Sequence, residues 1–118
     1  MSEFSTAGRP AAGRPIDLVH LARMTLGERS LEREVLQLFD RQAMLLMARL
    51  QVAPAEAVAS LAHTLKGSAR AIGAVHVARA AEVVEVTQWG VDLACALAEL
   101  RTATDEARGF IADLLHAH

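Results

Sequence analysis

The run His63-Thr64-Leu65-Lys66-Gly67-Ser68-Ala69-Arg70-Ala71-Ile72-Gly73-Ala74 carries two stripes at helical spacing. His63, Lys66, Gly67 and Arg70 are offset by three, four and seven positions, which sets them on one side of a helix. Val58, Leu61, Leu65 and Ile72 fall on the opposite side and form a face for a core. The spacing predicts a helix that ends at Gly73 and holds a histidine out to solvent, with cations about one and two turns further on. Gly67 costs roughly 0.8–1 kcal/mol relative to alanine inside a helix, so something other than propensity accounts for it. A histidine, a glycine and two cations on one exposed stripe suit the handling of a phosphoryl group.

Working outward, Pro54 reads as the first turn of this helix, where its missing N–H costs nothing. Upstream, a helix is expected from near Ser30, with the Ser30 hydroxyl as cap and Glu32 and Glu34 at the positive end of the dipole. Its broad apolar face comprises Val35, Leu38, Phe39, Leu45, Leu46 and Leu50. A short helix is expected from Ile16 to Met24, with Leu18, Leu21 and Ala22 on one side, broken by Thr25-Leu26-Gly27. Residues 1–15 read as a flexible tail, because the repeated tripeptides Gly8-Arg9-Pro10 and Gly13-Arg14-Pro15 cannot hold a helix. Downstream, a fourth helix runs from Ala74 to about Trp89, with Gly90 as its stop. In the last helix Leu93, Leu97, Leu100, Thr104, Ala107, Ile111 and Leu114 alternate steps of four and three, a bundle seam whose weak position is Thr104. Short connections imply antiparallel neighbours. The expected fold is all-α: an antiparallel up-down-up-down four-helix bundle over residues 16–118, with the short extra N-terminal helix packed across one end.

Composition narrows the function. A chain of 118 residues is one domain with no room for a second catalytic one. The formal charge of -2 lacks the basic footprint of a nucleic-acid binder, and no apolar stretch approaches the ~20 residues that span a bilayer. Without an apolar signal region at the N-terminus, a cytoplasmic location is the expectation. Cys95 stands alone, so no internal disulfide forms, and its place within a helix reads as a buried packing residue.

The run from His63 resembles the signature of histidine-containing phosphotransfer (HPt) domains of two-component phosphorelays. His63, Leu65, Lys66, Gly67, Ser68, Ala69 and Gly73-Ala74 fall where that family has its motif, and the likeness extends from about Ile16 to about Leu115. Glu34 to Phe39 also resembles the family's second helix, which commonly carries a Leu-Phe pair. The resemblance implies that His63 carries the phosphoryl group on its distal nitrogen, Nε2. An unperturbed imidazole titrates near ~6.5, so the neutral ring with its lone pair predominates at cellular pH. Lys66, one turn on, would offset phosphoryl charge, and Arg70 is a weaker candidate for phosphate or partner contact. Gly67 either clears space for a partner's active site or permits close helix packing. The family often has Glu or Gln where this chain has Glu85, against the histidine. A carboxylate accepting the Nδ1 proton would leave Nε2 free, and a hydrogen bond through partial solvent is expected there rather than a tight ion pair. Trp89 serves either the core or a partner.

The resemblance implies a receiver domain, including that of a hybrid histidine kinase, as partner. Its phospho-aspartate would donate to His63, with onward transfer to another receiver. The expected docking patch joins Leu18 or Leu21, Ala59 and the second helix. The chain is expected to hold no cofactor or metal of its own: Mg²⁺ would come from the receiver, and His20, His76, His116 and His118 look incidental, Asp113 with His116 being too few ligands for a bundle metal site. A kinase is disfavoured because there is no P-loop and Thr64 follows His63 where kinase dimerisation helices usually have an acidic residue. A monomer is the default. Met1 and the bundle's length favour a free-standing protein. The competing reading is an HPt-like module that binds receivers or other signalling proteins and carries no phosphate.

Overall fold

The computed structural model describes residues 13–87 and 90–117. These form five helices: α1 Leu18–Met24, α2 Arg29–Val52, α3 Ala55–Ile72, α4 Val75–Val86 and α5 Gly90–His116. No strand occurs among the described residues. The last four make the expected bundle: α3 packs on α4 and α2, α4 on α5, and α2 closes against α5, while α1 lies across the end of α3.

The bundle is held by stripes at alternating steps of three and four. On α3 these are Val58, Ala62, Leu65, Ala69 and Ile72, with Leu61 only half-buried. Leu65 is fully buried, which contributes roughly 1.5–3 kcal/mol. On α2 the stripe is Leu36, Phe39, Ala43, Leu46 and Leu50. It is narrower than the expected face: Leu38 and Leu45 are 58% and 51% exposed, and Val35 is half-buried. Two neighbours, α3 and α5, cover one arc of α2, and leucines about 100° off that arc reach solvent. On α5, Leu100, Thr104, Ala107 and Ile111 are buried as the seam requires, joined by Ala96, while Leu93, Leu97 and Leu114 are half-buried. Cys95, next to Ala96, is therefore turned outward and exposed rather than packed. Thr104 Oγ1 is buried with no hydrogen-bond partner among the described residues.

The ends of the helices depart from expectation by a few residues. Helix α2 starts at Arg29 with Glu28 as its N-cap and no side-chain cap, so Ser30 is already inside the first turn. Pro54 is the extended N-cap of α3 rather than part of its first turn. Gly73 caps the C-terminus of α3 in the left-handed region at φ 83, as its lack of Cβ permits. Helix α4 ends at Val86, where the Thr87 hydroxyl donates to Val83 O at 2.7 Å. Gly90, also at positive φ, opens α5 instead of closing α4. Residues 1–12 of the expected tail 1–15, together with Gln88, Trp89 and His118, lie outside the described residues.

Helix α1 is fixed at the Gly73 turn. Asp17 caps it, Oδ1 accepting from Val19 N and His20 N at 3.1 Å. Asp17 N then donates to Gly73 O at 2.8 Å, and His20 Nε2 donates to Ala71 O at 2.9 Å. A Cβ at Gly73 would sit 3.1 Å from Asp17 O and 3.2 Å from His20 Cβ. Of the expected face only Leu21 is buried; Leu18 is half-buried, Ala22 is exposed, and Ile16, ahead of the helix, fills the core.

Candidate functional site

The two-residue connection Gly73-Ala74 folds α4 back along α3, so residues about equally far from the turn face each other. His63 thereby meets Glu85. Its Nδ1 lies 2.8 Å from Glu85 Oε2, a direct contact rather than one through solvent. The His63 side chain is 66% exposed. A carboxylate can only accept, so Nδ1–H is the donor, and the neutral ring keeps its lone pair on Nε2.

Lys66 Nζ lies 2.7 Å from Glu85 Oε1. Oε1 is closed to solvent and has the ammonium as its one close partner among the described residues. The two neighbours, Lys66 first and His63 second, hold the Glu85 carboxyl below the ordinary carboxylate value. The expected solvent-facing stripe is thus exposed at His63, Gly67 and Arg70 but not at Lys66, whose side chain is 13% exposed because it reaches across to α4. Arg70 Nη2 stands 3.6 Å from Glu82 Oε1, both exposed. It belongs to the same face but touches neither His63 nor Glu85.

Gly67 is exposed, and a Cβ built there meets nothing within 4 Å. Close packing within the bundle therefore does not explain it, and the open space beside the α3 backbone is available to a partner. The docking patch expected from α1 needs correction. Leu21 is buried and Leu18 half-buried, so α1 exposes Val19 instead. Leu38 and Leu45 of α2 and Ala59 of α3 are exposed.

The Lys66–Glu85 pair is absent from the sequence reading. Near-symmetry about the Gly73-Ala74 turn sets Glu85 opposite His63, and Lys66 comes into reach because it lies one turn further along α3. His20, read as incidental, has a structural role at Ala71 O, and His116 Nδ1 donates locally to Ala112 O at 2.9 Å. Among the described residues no three His, Cys, Asp or Glu side chains converge as metal ligands.

Residues 29–116 match the sequence model of the Hpt domain. The chain belongs to the HPt domain family. The match begins where α2 begins and ends where α5 ends, so HPt homology covers the four bundle helices and leaves α1 outside it. No curated protein and no solved structure matches the chain significantly. HPt membership makes this a histidine phosphotransfer module of two-component signalling, a phosphocarrier rather than a kinase, of a family that interacts with receiver domains. No described helix is long and apolar enough to cross a membrane.

Proposed function

We propose that this HPt domain is a phosphorelay intermediate that takes a phosphoryl group from a receiver's phospho-aspartate onto His63 Nε2 and passes it to another receiver. The observation that carries the reading is an exposed imidazole whose Nδ1 is occupied by Glu85 at 2.8 Å. In the transfer, the Nε2 lone pair forms the bond to phosphorus as the phosphorus–oxygen bond to aspartate breaks. The aspartate leaves as a carboxylate. The Nδ1 proton stays on the ring, and Glu85 offsets the positive charge that the ring acquires. Gly67 leaves room for the receiver's active site, Lys66 and Arg70 supply cations, and the receiver's own acidic pocket supplies Mg²⁺. The domain acts as a cytoplasmic monomer without a cofactor of its own.

The test incubates wild type and His63→Gln with a panel of phosphorylated receiver domains and quenches above neutral pH, because phosphohistidine is acid-labile. Label is expected on wild type only, with the helical CD signal unchanged in the variant. Label on His63→Gln overturns the assignment of the carrier. Stable receiver binding without transfer overturns the relay role and makes the chain an interaction module.

A further inference from the structure

Where α2 closes against α5, the seam is not filled. A cleft of about 670 Å³ opens there, walled by Met47 and Leu50 of α2 and by Ala94, Leu97 and Ala98 of α5. Sites that take small molecules run to ~300–1,000 Å³, with an apolar lining and a few convergent polar groups. Among the described lining residues only Gln51, Arg101 and Thr102 are polar. Arg101 is thus the single charged group on an apolar wall, and it makes no ion pair among the described residues. Arg108, one heptad further on, is held by Asp40. The cleft lies on the side of the bundle opposite the α3–α4 contact that carries His63.

A second observation is independent of the first. Met47, Gln51 and Arg101 also line an adjoining cavity of about 220 Å³, whose wall includes Thr104. Thr104 is 1% exposed, and its Oγ1 has no hydrogen-bond partner among the described residues. A buried hydroxyl left unmet is costly, and each such group calls for an account. The cavity beside it is far larger than the ~30 Å³ share of one water. Arg101 and Thr104 are three residues apart on α5, so the guanidinium and the hydroxyl border the same junction between the two cavities. Two donors beside an apolar wall match an anionic oxygen head with an apolar tail. Asp105 borders the smaller cavity but not the larger one. Its negative charge disfavours a dianion such as phosphate at the junction and leaves a monoanion as the head.

We propose that the α2–α5 cleft binds a free medium-chain monocarboxylate. The carboxylate accepts from the Arg101 guanidinium and from the Thr104 hydroxyl, which gives that oxygen its missing partner. The alkyl chain lies along Met47, Leu50 and Leu97. This site is separate from the phosphoryl chemistry and stands whether or not His63 accepts a phosphoryl group.

The probe is octanoate, titrated into the whole chain by calorimetry. Octanol supplies the same chain without the charge, and acetate the same charge without the chain. Octanoate is expected to bind once per chain with a negative heat-capacity change, as burial of apolar surface requires. It should bind at least about tenfold more tightly than either control, the worth of one charge-assisted contact. Arg101→Leu, at an exposed position, brings octanoate down to the level of octanol. Thr104→Val weakens octanoate by about threefold or more, yet raises the urea midpoint of the free protein, because the unmet hydroxyl is gone. Ala98→Phe, also at an exposed position, fills the cleft and abolishes binding with the helical CD signal unchanged. The proposal is overturned if octanoate does not bind, if octanol binds as tightly, or if several octanoates enter per chain as a detergent does. Unchanged affinity in Arg101→Leu or in Thr104→Val overturns the placement of the head, and unchanged affinity in folded Ala98→Phe overturns the cleft.

Discussion

Two ion pairs of the same length cross this bundle, and they do different things. Arg108 Nε donates to Asp40 Oδ1 at 2.7 Å, joining α5 to α2. Lys66 meets Glu85 at the same distance, joining α3 to α4. At the first, the guanidinium's remaining reach goes to Met44 Sδ at 3.6 Å. That pair only fastens helices. At the second, the carboxylate has an oxygen left over, and it goes to an exposed imidazole. A cross-helix ion pair becomes part of a site when one partner still has a hydrogen bond to give to a reactive group.

Breaking each pair should separate the two roles. Glu85→Ala frees both His63 and Lys66, and phosphoryl acceptance in the receiver assay should slow by about tenfold or more, as expected when a histidine loses its orienting carboxylate. Loss of less than about twofold would place Glu85 outside the mechanism. Gly67→Ala should stabilise the bundle by about 0.8–1 kcal/mol in urea unfolding, since a Cβ there meets nothing, while receiver affinity falls. Unchanged affinity would show that no partner backbone comes this close. Arg108→Ala should lower stability by roughly 0.5–1 kcal/mol, the range for partly exposed pairs, and leave the transfer rate alone; a slowed transfer would erase the distinction between the two pairs. The smallest effect is in acid. The Glu85 carboxyl is held below its ordinary value of 4.5 by Lys66 and His63, so its contribution is fully present above that value and is lost as pH falls through the lowered one. The stability difference between wild type and Glu85→Gln, measured by urea melts near neutrality and at about pH 3, should therefore shrink in acid.

The same contrast explains what could be read from the chain. The stripe of His63, Gly67 and Arg70 is local, being offsets along one helix, and the helix stop at Gly73 is likewise a local matter of a positive φ. The all-helical bundle follows from alternating steps of three and four. What escaped depends on which neighbour covers which arc. Leu38 and Leu45 fit a helical repeat as well as Leu46 and Leu50 do, and only the placement of α3 and α5 decides which pair is buried. Gly90 reads equally well as the end of one helix or the start of the next. Lys66 belongs to the stripe by offset, yet its ammonium answers to Glu85, which no pattern within α3 reveals.

Chain connectivity adds a consequence of the Gly73-Ala74 turn. His63 and Glu85 are 22 residues apart, whereas Asp40 and Arg108 are 68 apart. Closing the shorter loop costs about 1 kcal/mol less conformational entropy than closing the longer one. The histidine and its carboxylate thus sit within a single low-contact-order hairpin, so their meeting does not have to wait for the first and last helices of the bundle to find each other.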